Sequence, residues 1–288
     1  MTTERIARFK VGAKIGDDIT VLGVVARDGW RPVYIGWHHR AWCPVACKVV
    51  RSTKRAEQEA VALSSVCHPN IVRTLGVIEP GVLIMEFLEG PRLSQLIAEE
   101  KLTLSDKLRI AVHIGGALAH IHDRGLLHMD LKPDNVIVAN GRPVLFDLGT
   151  ARPQGSKRPP LVTGTDPYIA PEECRLARAT TASDVFSFGA LLYHLFSGRL
   201  PFKPSTKRVP YPQLTDQATP LLSHTSRLPR ELANAVMDCL VPLPQDRPSL
   251  TTILPVLNGQ IRKGPAMWPA GFQPATTPKA AKAVSRAA

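Results

Sequence analysis

The segment Leu126–Val138, LLHMDLKPDNVIV, restricts this chain more than any other. Its apolar residues call for burial, yet Asp130, Lys132, Asp134 and Asn135 stand among them. Unpaired charge is costly to bury, so a strand with only a core to fill would not carry this set. The segment belongs where apolar side chains reach a core and polar ones meet at a cleft.

The flanking sequence predicts two unlike halves. From about Ile19 to Val50, the runs ITVLGVVA, RPVYIGW and PVACKVV read as strands, divided at Asp28–Gly29 and at His38–Arg40. A helix of at most about three turns is expected over Lys54–Val66, capped near Ser52–Thr53. Two more strands follow around Pro80–Gly81. Beyond residue 90 the period changes. Ile110, Ile114, Leu118 and Ile121 share one helical face, with Ser105 as the expected N-cap and Gly125 as the stop. Strands NVIVAN and RPVLFDL meet at Asn140–Gly141. Helices are expected near 183–198 and 230–241, with proline-rich loops and one short helix between Pro201 and Pro229. The expectation is an α+β chain with a small β-rich lobe carrying one helix (residues 1–88), a hinge near Glu86–Leu88, and a larger helical lobe (89–262). The basic Pro/Ala-rich stretch 263–288 reads as a mobile tail. A cleft between lobes is where ligands bind.

The residues in the opening segment suit phosphoryl transfer, which needs a positioned acceptor, divalent metal and cationic groups where charge accumulates. Asp130 can orient a hydroxyl, Lys132 can meet the transferred phosphate, and Asn135 offers a neutral oxygen to Mg²⁺. Asp147 in VLFDLG is placed to be a second metal ligand, with Gly149 giving a free turn.

HMDLKPDN, DLG and APE in this order resemble the eukaryotic-like (Hanks-type) serine/threonine protein kinases, from about Val21 to Pro248. The resemblance implies a two-lobed kinase-like fold, ATP and Mg²⁺ as cofactors, and a protein substrate with a Ser or Thr acceptor. Lys48 in VACK matches the phosphate-binding lysine, and Glu59, rather than Glu57, its helix partner. In LIMEFLEG, Met85 matches the back of the adenine pocket, with the backbone of Glu86 and Leu88 bonding the base; Val33, Ala46 and Ile137 match the apolar residues around it. Thr165 in GTDPYIAPE, with Lys132, follows the serine/threonine pattern. Asp184 matches the residue bracing the catalytic loop, Arg247 the partner of Glu172, and His128 a structural position.

Two departures stand out. The glycine-loop positions fall on Ala26, Asp28 and Arg31, with only Gly29 between them, which weakens the expected grip on phosphates. Met129 stands where most relatives have an arginine that binds an activation-loop phosphate, so switching is not expected to depend on phosphate docking there. A pseudokinase, or weakly active nucleotide-binding scaffold, is the alternative reading. A small-molecule phosphotransferase shares the aspartate and asparagine logic but not Lys132 or APE.

Composition sets the remaining bounds. Five cysteines without a C-x-x-C pair predict small reduced core residues, not disulfides or zinc. No run approaches the roughly 18 apolar residues that span a bilayer, and MTTERIARFK lacks the apolar stretch of a secretion signal, so a cytoplasmic protein is expected. A net charge of +12 fits an acidic partner, an anionic surface or a solvated face. With 6% aromatics and no binding motif, no nucleic acid is expected. The tail is a candidate contact for an acidic partner; the oligomeric state is left open.

Overall fold

The computed structural model describes residues 8–28, 31–50, 52–157 and 161–261, with backbone only at 26–28 and 31. The tail from 263 onward, with its suggested acidic partner, and Gly29 lie outside the described residues.

The first part is a six-stranded antiparallel sheet with one helix. Its strands are β1 (Lys14–Ile15), β2 (Ile19–Asp28), β3 (Arg31–His38), β4 (Cys43–Val49), β5 (Thr74–Ile78) and β6 (Val82–Glu86), ordered β1-β2-β3-β4-β6-β5. Alternation along β4 decides which side chain faces which layer. Val45, Cys47 and Val49 are almost fully buried with Ile19, Tyr34, Val82 and Ile84 on one face. Ala46 and Lys48 therefore point to the other, opposite Met85 and Leu83 of β6. Because β6 is covered on both sides, it reads as an unbroken apolar run.

Helix α1 (Thr53–Ser65) starts at Ser52, whose hydroxyl accepts the Arg55 N–H. It has 13 residues, the length of the expected span, shifted one residue toward the N-terminus. Ala56, Glu59 and Leu63 form its buried stripe, while Glu57 is exposed.

The second part is mainly helical: α2 (Leu93–Ala98), α3 (Leu104–Asp123), α4 (Pro171–Cys174), α5 (Thr181–Ser197), α6 (Arg230–Asp238) and α7 (Leu250–Gly259). Strands β7 (Leu126–Leu127), β8 (Val136–Ala139), β9 (Arg142–Leu145) and β10 (Arg152–Pro153) pair as β7 with β10 and β8 with β9. The four α3 residues singled out by periodicity are all fully buried. The α3 cap is Thr103, not Ser105: Thr103 and Asp106 bond each other's backbone N–H, a reciprocal capping box that starts the helix two residues earlier. The proline-rich stretch holds two short 3₁₀ turns, Pro212–Leu214 and Leu221–Ser223. Helices α2, α4 and α7 and the short strands β1 and β10 escape sequence reading, although α7 carries an apolar stripe at helical spacing, Leu250, Ile253 and Leu257, around an internal Pro255.

Gly90 (φ +155°) lies where the connection after β6 crosses β8, and a Cβ there would run into the Val138 carbonyl. No described cysteine is disulfide-bonded. Cys47 and Cys239 are core residues whose thiols burial pushes up to about 12. Cys67, by contrast, is exposed at the end of α1, so the expectation of core cysteines fails there. No helix among the described residues is long and apolar enough to cross a membrane.

Candidate active site

Three separate segments converge on Lys48. Its Nζ lies 2.7 Å from Glu59 Oε1 and 2.8 Å from Asp147 Oδ1. Burial alone would lower the ammonium pKa; the facing carboxylates of Asp147 and Glu59 outweigh it and hold Lys48 above its ordinary value. Burial likewise favours a neutral Asp147, but Lys48 and the Gly149 N–H push the carboxyl down to about 2. Asp147 takes a left-handed turn at the end of β9 (φ +71°), which returns its side chain toward Lys48. A side chain on Gly149 would crowd both carboxylates, its Cβ falling 3.0 Å from Asp147 Oδ1 and from Glu59 Oε2.

The second cluster lies between β7 and β8. Asp184, buried on α5, accepts the N–H groups of His128 (2.8 Å) and Met129 (2.9 Å) and pairs with His122 Nε2 at 2.9 Å. Burial would raise the Asp184 pKa, but the His122 contact and the backbone donors reverse this and keep it low. This anchored carboxylate orders the loop that carries Asp130. Lys132 Nζ is 2.9 Å from Asp130 Oδ2, and the Thr165 hydroxyl donates to Asp130 Oδ1 at 2.7 Å. Lys132 also donates to Thr165 Oγ1. Asn135 Nδ2 donates to the Asp130 carbonyl (2.8 Å) and to its Oδ2 (3.1 Å), so the Asn135 amide oxygen remains for another partner. His128 is fully buried, accepts the Asp130 N–H, and is held toward its neutral form by burial, in keeping with a structural role.

The two clusters adjoin through the β8–β9 hairpin. Phe146 N–H bonds the Asn135 carbonyl at 3.0 Å, which sets Asn135 beside the residue preceding Asp147. Among the described residues no group of three or more His, Cys, Asp or Glu could hold a metal. One carboxylate and one amide oxygen suit Mg²⁺, which keeps much of its shell from phosphate and water.

Half-buried Val33, Ala46 and Ile137 and buried Met85 provide apolar surface; Val33 pairs with Lys48, and Ala46 with Met85, across the sheet. Glu86 N–H is spent on the Arg73 carbonyl, and its carboxylate on Arg73, so any bond from Glu86 to a base must use its own carbonyl. Leu88 lies half-buried in the connection to α2. Backbone pairing continues through Ala26 and Asp28, opposite Val33 and Arg31, but their side-chain effects lie outside the described residues.

Sequence reasoning missed several site-supporting residues. His122 holds Asp184, and Ser94 donates to Asp134 at 2.8 Å. Glu173 sits buried beside Glu172. Burial, with Asp184 and Glu172 nearby, pushes its carboxyl up to about 8 from an ordinary 4.5. Within that window the unfolded chain releases the proton and the folded protein keeps it, so stability falls as pH rises from about 4.5 to 8. Glu173→Gln removes this titration. Thermal unfolding of the variant should lose less stability between pH 5 and 8.5 than wild type, by on the order of 4 kcal/mol; identical pH profiles would contradict the assignment.

A family model for the protein kinase domain matches residues 31–256. Serine/threonine-protein kinase pkn2 of Myxococcus xanthus is 36% identical over 203 residues, covering 63% of this chain and 24% of the relative. PkaA of Streptomyces coelicolor, also named a serine/threonine-protein kinase, is 33% identical over 225 residues, 71% of this chain and 41% of its own length. A probable serine/threonine-protein kinase, PknB of Lactococcus lactis, is 28% identical over 250 residues, 80% and 39% respectively. The chain thus spans less than half the length of these relatives.

Proposed function

The chain belongs to the protein kinase domain family, and on that basis we propose that it transfers the γ-phosphate of ATP to serine or threonine hydroxyls of protein substrates. The observation that carries this reading is Lys48 ion-paired with both Glu59 and Asp147. An ammonium held this way is ready to meet phosphate oxygens. Asn135 and Asp147 would hold Mg²⁺, which supplies charge neutralisation on the phosphates when bound. Asp130 receives the substrate hydroxyl and orients it; because Thr165 already occupies Oδ1, the hydroxyl must share that oxygen or displace Thr165. Lys132 offsets charge at the transferred group. Val33, Ala46, Met85 and Ile137 enclose the base, with the backbone of Glu86 and Leu88 at its edge. The names of the relatives, and Lys132 beside Thr165, support Ser/Thr over Tyr acceptors. An ATP-dependent reaction of this kind fits a cytoplasmic setting.

Met129 is buried with Leu127 and Ala179 and has φ +67°. It offers no cation to a phosphorylated loop. Order in the neighbouring segment rests instead on fixed contacts: Thr165 with Asp130, Arg178 with the Gly155 carbonyl, and Glu172 with Arg247.

The test is incorporation of labelled γ-phosphate into a protein acceptor under a Mg²⁺ titration. Asp147→Asn should lower turnover by roughly 10²-fold or more; full activity in this variant would contradict the metal assignment. The altered glycine-loop positions favour the scaffold alternative, which predicts no incorporation above background by wild type.

A further inference from the structure

Charge is unevenly distributed around the acceptor side of the cleft. Between Leu148 and Thr215 the only acidic residues are Asp166, Glu172, Glu173 and Asp184. Glu172 is buried and bound to Arg247, Asp184 is buried under the catalytic loop, Glu173 is buried, and Asp166 is half-buried. Lys157, Arg175, Arg178, Lys203, Lys207 and Arg208 in the same stretch are all exposed. Exposed charge in this stretch is therefore cationic, the next exposed carboxylate, Asp216, lying just past the turn that carries Gln213. It does not simply follow the overall charge of +12, because exposed carboxylates occur elsewhere, as at Glu57, Glu99, Glu100, Asp123 and Asp238.

Hydrogen bonds tie this cationic stretch to the reacting centre. Thr165 touches Asp130 and Lys132, and its carbonyl accepts the Tyr168 N–H. One residue further on, the Ile169 carbonyl accepts from Gln213 Nε2 at 3.1 Å. Gln213 belongs to the 3₁₀ turn that follows the exposed loop 203–210 after a single residue. On the other flank, Arg178 donates to the Gly155 carbonyl at 2.6 Å, which holds that arginine against the segment carrying Lys157.

We propose that the acceptor segment is acidic: a serine or threonine flanked within several residues by Asp or Glu, read by the loop Lys203–Arg208 together with Arg175 and Arg178. The proposal rests on the protein kinase reading. A carboxylate-rich strand laid beside Thr165 meets several exposed cations and, among the described residues of this stretch, no exposed carboxylate. Opposite potentials across such a surface raise the association rate and suppress wrong partners more than they add affinity per contact. A basic segment would meet like charge along the same path.

The experiment is fluorescence anisotropy with the full chain and three labelled serine peptides, identical except for Asp/Glu, Asn/Gln or Lys flanks. Label incorporation into the same peptides is followed in parallel. The acidic peptide should bind roughly tenfold tighter than the amide peptide, and the gap should narrow in 0.5 M salt, where the Debye length is about 4 Å. The K203E/K207E/R208E variant should bring the two affinities together while its thermal midpoint stays at the wild-type value. Equal binding of acidic and amide peptides, an unchanged preference in the variant, or capture by phosphatidylserine vesicles without capture of the acidic peptide would each overturn the proposal. Incorporation with no acidic preference rejects this inference and keeps the enzyme. Acidic-peptide binding with no incorporation into any peptide supports the surface and rejects the enzyme.

Discussion

Asp130→Ala is expected to lower turnover by about 10²–10⁴-fold while the protein stays folded. The carboxylate is the hub of its cluster: Oδ1 accepts from Thr165, and Oδ2 from Lys132 and Asn135. Alanine removes the group that receives the substrate hydroxyl. It also leaves Lys132 without its counter-ion, while Asn135 keeps its bond to the main-chain carbonyl of residue 130. The backbone anchor does not depend on this side chain, because Asp184 holds the loop through the His128 and Met129 N–H groups. Steady-state phosphorylation with a parallel melting curve separates chemistry from folding. Asp130→Asn keeps the shape and removes the charge, so its loss should approach that of alanine. Wild-type turnover in either variant would remove Asp130 from the mechanism.

Arg247→Ala should destabilise the fold by about 3–5 kcal/mol. The Arg247 side chain is fully buried and bonds both Glu172 oxygens, at 2.7 and 2.8 Å. It also donates to the carbonyls of Ala182, Val241 and Pro242, and its guanidinium lies 4.9 Å from the Phe186 ring centroid. Truncation leaves a buried carboxylate without its cation and three carbonyls short of a donor. For a chain of this size the loss corresponds to a fall in melting midpoint on the order of 10 °C. The double variant Glu172→Gln/Arg247→Met should be less destabilised than Arg247→Ala, since no charge is stranded. A midpoint for Arg247→Ala indistinguishable from wild type would show that the pair carries no such weight.

Much of the site was legible because its residues lie in short, ordered segments. Alternation in VACKVV aims Lys48 away from Val45, Cys47 and Val49, and the α1 stripe through Ala56 and Leu63 selects Glu59 over Glu57. The turn after β9 puts Asp147 at a strand end. Resemblance to kinase motifs picks out Lys48 and Glu59; a period of two in β4 and of 3.6 in α1 is what orients them. What escaped was set by distant chain. Nothing local in HIHDRG says that His122 will meet Asp184, 62 positions on. Glu173 drew no expectation from the sequence, and packing buries it with Asp184 and Glu172 nearby. The Ser105 cap failed because Thr103 with Asp106 forms a two-way bond that outcompetes a single hydroxyl.

By itself the sequence determined which side chains are available, in what order, and which faces of β4, α1 and α3 they occupy, because backbone periodicity is a local property. Tertiary structure alone decided that Lys48 would sit between two carboxylates, that Asp184 would gather three donors, and that the exposed charge described between Leu148 and Thr215 would all be of one sign. Ion pairing and desolvation depend on distances across the chain, and those exist only once the core has closed around them.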